Sequence, residues 1–115
     1  MSDIFAEALD RLSRVSGVRG ALIVETDAGV PVLSELAEGV PGDEVAALAS
    51  SLFRRTSKAA TTADFGNLRT LQLEAEFGHV IVAHGGEMLV VVVADRNAQL
   101  GQLRLEAHRA AEALQ

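Results

Sequence analysis

Apolar residues recur along the chain with two periods that alternate. Ile4, Phe5, Ala8, Leu9, Leu12 and Val15 fall on one stripe of a helix. Ser2 or Asp3 stands where an N-cap belongs, and Gly17 lies just past the end. Residues 19–26, dominated by Ala21-Leu22-Ile23-Val24, predict a strand. Asp27-Ala28-Gly29 predicts a short hairpin loop, with Gly29 supplying the positive φ. Residues 30–36 are the return strand and 39–42 a loop. Helical spacing resumes over 43–63, where Val45, Leu48, Ala49, Leu52, Thr56, Ala59 and Ala63 make the main stripe. Residues 67–76 alternate, with Leu71, Leu73, Ala75 and Phe77 on one side and Thr70, Gln72, Glu74 and Glu76 on the other, as in a half-buried strand. After a turn at Gly78, residues 80–83 form a strand, Gly85-Gly86 a hairpin turn, and 88–94 a strand apolar on both faces. Asp95 or Asn97 opens a final helix with the stripe Leu100, Leu103, Ala107, Ala110, Ala111 and Leu114.

The order is helix, two strands, helix, three strands, helix. Hairpins make the first two strands neighbours, and likewise the last three. The most apolar members, the first and fifth strands, should join the two groups. That predicts an α/β domain of the α+β type spanning residues 1–115. Its antiparallel sheet has five strands in the order 2-1-5-4-3. Cover on both sides of the central strands puts the first and third helices on one face and the second on the other.

Composition narrows the functional classes. The 115 residues suffice for one core. There are four Phe and no Tyr or Trp, so the core is aliphatic. A net charge of -6 argues against nucleic acid and against anionic membrane surfaces as partners. The absence of cysteine removes disulfides, thiolate metal sites and cysteine nucleophiles, and is consistent with the cytoplasm. Met1-Ser2-Asp3 suggests no secretory signal and lacks the glycine that myristoylation needs. No apolar run reaches the roughly 18 residues of a membrane-spanning helix.

The glycines read as architecture. A phosphate loop follows a strand and opens a helix, whose N-terminal amides meet the anion. Gly17 and Gly20 follow a helix and open a strand, Gly29 sits in a hairpin, and the sole lysine, Lys58, is mid-helix. His79 and His84 are five apart on one strand and so point to opposite faces, unable to share a metal from it. His108 belongs to a helix surface. No serine has a nucleophile-elbow context, and Glu74 and Glu76 read as a solvated face. The expectation is a protein that is not an enzyme, with no catalytic residues, cofactor or metal.

Two features point to protein partners. Arg54, Arg55 and Lys58 lie within five positions of the second helix. On a wheel Ala47, Ser51, Arg54 and Lys58 fall opposite the apolar stripe, which suits a docking face where small residues allow close approach and cations meet an acidic partner. The two sheet edges also differ. The second strand carries Pro31, with acids at Glu35 and Glu38, whereas the third has no proline and one basic residue, Arg69. An unguarded edge of that kind asks for a partner, most simply its own copy across a two-fold axis. Leu68, Thr70, Gln72, Glu74 and Ser50 are the expected dimer contacts.

The stretches GVRGALIVETDAGVPV, FGHVIVAHGGEMLVVVVAD and LGQLRLEAHRAAEAL, with the small-residue helix between the first two, resemble the roadblock / dynein light chain family. The likeness covers nearly the whole chain and is one of pattern. The family's hairpin often reads Asp-Gly, where this chain has Asp27-Ala28-Gly29. The resemblance implies a roadblock/profilin-like fold. It also implies a homodimer in which the third strands pair and the second helices lie side by side. It further implies a non-enzymatic regulator or adaptor that binds a Ras-like small GTPase, as in the bacterial gliding-motility regulators, through the face of Ala47, Ser51, Arg54, Arg55 and Lys58. The same resemblance leaves open activation of GTP hydrolysis, scaffolding, or a structural dimer subunit of a larger assembly. A small-molecule sensor module is the alternative from another class.

Overall fold

A computed structural model describes residues 3–115. Three helices and five strands follow the expected order: α1 (Ile4–Ser13), β1 (Val18–Glu25), β2 (Pro31–Leu36), α2 (Gly42–Thr62), β3 (Thr70–Ala75), β4 (Gly78–Gly85), β5 (Met88–Asp95) and α3 (Leu100–Ala113). The antiparallel sheet runs β2-β1-β5-β4-β3, the predicted order.

The β1–β5 pair holds the architecture together. Leu22 opposes Val91 and Ile23 opposes Val90. Successive side chains alternate between faces. Ala21, Ile23, Val90 and Val92 join Ile81 and Ala83 beneath α1 and α3, where Leu9, Leu12, Leu103 and Ala107 close the layer. Leu22, Val24, Leu89 and Val91 join Val82 beneath α2, against Ala46, Ala49 and Phe53. All eight of these β1 and β5 residues are fully buried. The helices are therefore divided between the faces as their burial requires.

Local signals explain most boundaries. The Asp3 carboxylate accepts from the backbone amides of Phe5 at 3.0 Å and Ala6 at 3.3 Å, capping α1. Ser2, the other expected cap, lies outside the described residues. Gly29 closes the β1–β2 hairpin at φ +68, a conformation that strains any other residue, and a Cβ there would also push aside the Ser50 hydroxyl. Gly85 lets α3 approach β4, because a Cβ there would overlap the Ala111 carbonyl.

Three expectations are corrected. The α2 stripe is turned on its axis: Ala46, Ala49, Ser50 and Phe53 are buried, while Leu48 is 44% exposed and Ala59 and Ala63 face solvent. Small side chains at 46, 49 and 50 bring the helix close to the sheet, and Phe53 fills the space that remains beside Leu68. Next, β3 has six residues rather than the whole of 67–76. Leu68 turns inward to the α2-side core, and the Arg69 carbonyl accepts the His84 amide at 2.9 Å before the ladder begins. Finally, α3 is opened by neither Asp95 nor Asn97. Asp95 ends β5, and the N-cap of α3 is Gln99, without a side-chain cap bond.

Leu22→Ala should lower stability by about 2–5 kcal/mol, the cost of a cavity in a layer held from both sides. Chemical denaturation of the variant beside the parent measures it.

Candidate interaction surfaces

The outward side of α2 is the first candidate surface. Ala47, Arg54, Arg55 and Lys58 are exposed or half-buried and Ser51 is half-buried, so the predicted docking residues do share the solvent side of the helix. No acid occurs between Val45 and Ala63. Arg54 is not free: its Nη1 donates to the Thr26 carbonyl at 3.1 Å and the Asp27 carbonyl at 3.0 Å, tying α2 to the β1–β2 turn. Arg55 and Lys58 make no side-chain hydrogen bond or ion pair with any described residue.

Between the last turns of α2, the β1–β2 turn and residues 67–68 lies an open groove of about 530 Å³. Its floor is an aromatic pair, Phe53 and His84, with ring centroids 5.2 Å apart and an interplanar angle of 32°. Arg54, Ser57 and Lys58 form one wall. Sequence reasoning did not find this groove, because its parts come from four separated segments.

The second surface is the β3 edge. Thr70, Gln72 and Glu74 are exposed, on the side of the sheet that carries α1 and α3, and Arg104 donates to Gln72 Oε1 at 3.3 Å. On the α2 side Leu71 and Leu73 are half-buried. Two phenylalanines flank the strand almost bare, Phe65 at 85% and Phe77 at 83% exposure. One expected dimer contact falls elsewhere. Leu68 is half-buried, packed against the α2-side core at the start of the edge, but Ser50 is buried against Gly29 of its own chain, with its hydroxyl donating to the Ala47 carbonyl at 3.3 Å. Burial removes Ser50 from any surface.

The histidines face opposite ways on β4, as strand alternation requires. His79 lies inside, 4% exposed. Its Nε2 lies 3.2 Å from the Arg96 carbonyl, which can only accept, so Nε2 carries the proton. Its Nδ1 has no hydrogen-bond partner. Small neighbours, Gly78 in sequence and Ala94 across the ladder, make the room, a signal too generic to read in advance. His108 pairs with Glu112 at 3.1 Å on the surface of α3. Among the described residues no group of three or more His, Asp or Glu could hold a metal ion, and no helix is long and apolar enough to cross a membrane.

Residues 4–94 match the family model of the Roadblock/LC7 domain. The chain belongs to the Roadblock/LC7 domain family. Among curated relatives, two uncharacterized proteins of Methanocaldococcus jannaschii are 32% and 31% identical over 101 residues, covering 88% of this chain and 88% of their own. Among solved structures, the gliding protein MglB of Thermus thermophilus superposes with a TM-score of 0.84 at 27% identity, over 96% of this chain and 85% of that one. An MglB with a tetrameric arrangement gives 0.85 at 29%, over 96% and 84%. A Roadblock/LC7 domain from Streptomyces avermitilis gives 0.82 at 24%, over 93% and 91%, which speaks for the fold alone. This roadblock domain thus has the sheet order and helix placement that its hydrophobic pattern predicted.

Arg54→Ala should loosen the β1–β2 turn of the domain more than it weakens the whole. Amide exchange at Gly29, whose N–H donates to the Glu25 carbonyl at 2.9 Å, should quicken while global stability falls by no more than about 1 kcal/mol.

Proposed function

We propose that this roadblock domain is a non-enzymatic, homodimeric regulator or adaptor that binds a Ras-like small GTPase. The observation that carries the reading is the pairing of two surfaces in one chain. One is an open strand edge that asks for a second copy, and the other is an acid-free, cationic helix face left outside the core. Likeness to MglB supports the regulatory role. No arrangement of titratable side chains on either surface suggests chemistry of its own, so regulation acts on the partner's active site.

Dimerisation follows the edge. Unpaired backbone groups on β3 and the half-buried Leu71 and Leu73 beside them are satisfied together when two β3 strands pair. Joining them extends the sheet across the two-fold axis and sets the two α2 helices on one common face. Ala47, Ser51, Arg54, Arg55 and Lys58 then appear twice on a broad surface that receives the GTPase. Docking fits these residues better than insertion of an arginine into the nucleotide cleft. Arg54 is already held by two carbonyls of its own chain, and Arg55 stands on the body of a helix rather than on a loop that could reach inward.

The isolated protein should sediment as a dimer at tens of micromolar, with an interface above about 1,000 Å². Thr70→Asp with Gln72→Asp should shift it toward monomer by setting like charges across the joined edge. A parent protein that stays monomeric at that concentration refutes the dimer.

Candidate GTPases loaded with GDP or a GTP analogue should co-elute with the domain in one nucleotide state. Ala47→Glu with Arg55→Glu should weaken that complex by reversing charge at its centre, with a melt shifted little, since both positions are exposed. Unchanged affinity with an unchanged melt would move the docking face off α2.

A further inference from the structure

We propose that the groove between the C-terminal half of α2 and the β1–β2 turn is a binding site for a phosphate-bearing small molecule. The charge pattern comes first. Three cations elsewhere on the surface sit beside carboxylates: Arg14 with Asp10 at 2.8 Å, Arg109 with Glu106 at 3.0 Å, Arg19 with Asp95 at 3.9 Å. The two cations that line the groove do not. Lys58 has no partner among the described residues. Arg54 is fixed by two carbonyl oxygens, which orient the guanidinium and leave its charge uncancelled. One Nη1 serves both carbonyls, so its remaining N–H groups are available.

Uncharged donors stand at the same place. The Ser57 hydroxyl and the Asn67 carboxamide line the groove and make no hydrogen bond with any described residue. Together with Lys58 and Arg54 they supply hydrogen bonds from two separate segments, which suits a tetrahedral oxyanion better than a planar one. The half-buried His84 ring, tilted by 32° against the buried Phe53, offers a contact for the organic part of such a molecule. A volume of about 530 Å³ lies within the range of small-molecule sites.

Two features oppose an anion and sharpen the assignment. Asp27 lines the groove, so two cations against one carboxylate leave a single net positive charge with His84 neutral. The C-terminal end of α2 also brings the negative pole of the helix dipole. In a chain of net charge -6 no long-range field draws the anion in. Affinity must come from direct contacts, and Lys58, the one unpaired cation lining the groove, carries the largest share.

Inorganic pyrophosphate is the probe, added to the intact protein and followed by calorimetry and by amide shifts. The expected result is saturable binding with shifts at Ser57, Asn67 and His84. Lys58→Gln should weaken it by about tenfold, equivalent to about 1.4 kcal/mol. Arg55→Gln, one helix position beyond the groove, should leave it unchanged. Succinate, a planar-headed dianion, should bind more weakly. Absence of saturable binding, full affinity in Lys58→Gln, equal loss in Arg55→Gln, or equal affinity for succinate would each overturn the assignment. No GTPase takes part in this experiment, so its outcome is separate from that of the docking test.

Discussion

Everything in this fold answers to one constraint: β1 and β5 are aliphatic on both faces and must be covered twice. Each fully buried Leu, Ile or Val on them stabilises the domain by about 1.5–3 kcal/mol relative to exposure, and neither strand has a polar side to offer solvent at its centre. A single layer of helices would leave half of that gain unrealised. Two helices on one face and one on the other is the arrangement that the chain order allows. The hairpins then push β2 and β3 outward to become the edges.

The division of helices is uneven, and that unevenness creates the surfaces. α1 and α3 together close their face over the sheet. α2 works alone on the other, packing chiefly over β1 and β2 and less over β4 and β5. The α2-side row of β3 is therefore only half covered, while the opposite edge is guarded by Pro31 and by Glu35, whose Oε2 accepts the Ser13 hydroxyl at 2.7 Å. One edge is finished within the protomer and the other is not. The open edge follows from a face that a single helix covers only in part.

What was legible in the sequence was what burial dictates directly. The runs at 21–24 and 89–93 leave no alternative to a doubly covered pair, and the α3 stripe from Leu100 to Leu114 packs as its spacing requires. Legibility failed where close approach, rather than hydrophobicity, decided the outcome. On α2 the leucines at 48 and 52 outscore alanines and a serine on any hydrophobic count. Yet the helix turned toward Ala46, Ala49 and Ser50, because small side chains let it sit near the sheet and made a place for Phe53. Ser50 was misplaced for the same reason, since its burial depends on Gly29 in a distant turn. The alternation through 67–76 also overstated β3, as alternation says nothing of whether a partner strand runs alongside. At Leu68 the chain is still turning inward. The groove lay beyond reach because Thr26, Arg54, Asn67 and His84 meet only in three dimensions.

Arg54 shows how closely the two faces of α2 are connected. Its side chain reaches from the outward side of the helix down to the carbonyls of Thr26 and Asp27. Thr26 in turn donates its hydroxyl to the Glu87 carbonyl at 2.9 Å, in the turn between β4 and β5. Through Thr26 this one side chain ties the outward side of α2 to two hairpin turns at once, those that cap β1 and β5, the most deeply buried strands of the sheet. The position of α2, whose own contact with the sheet is made largely by small residues, is therefore fixed at its outward side as well as at its buried one.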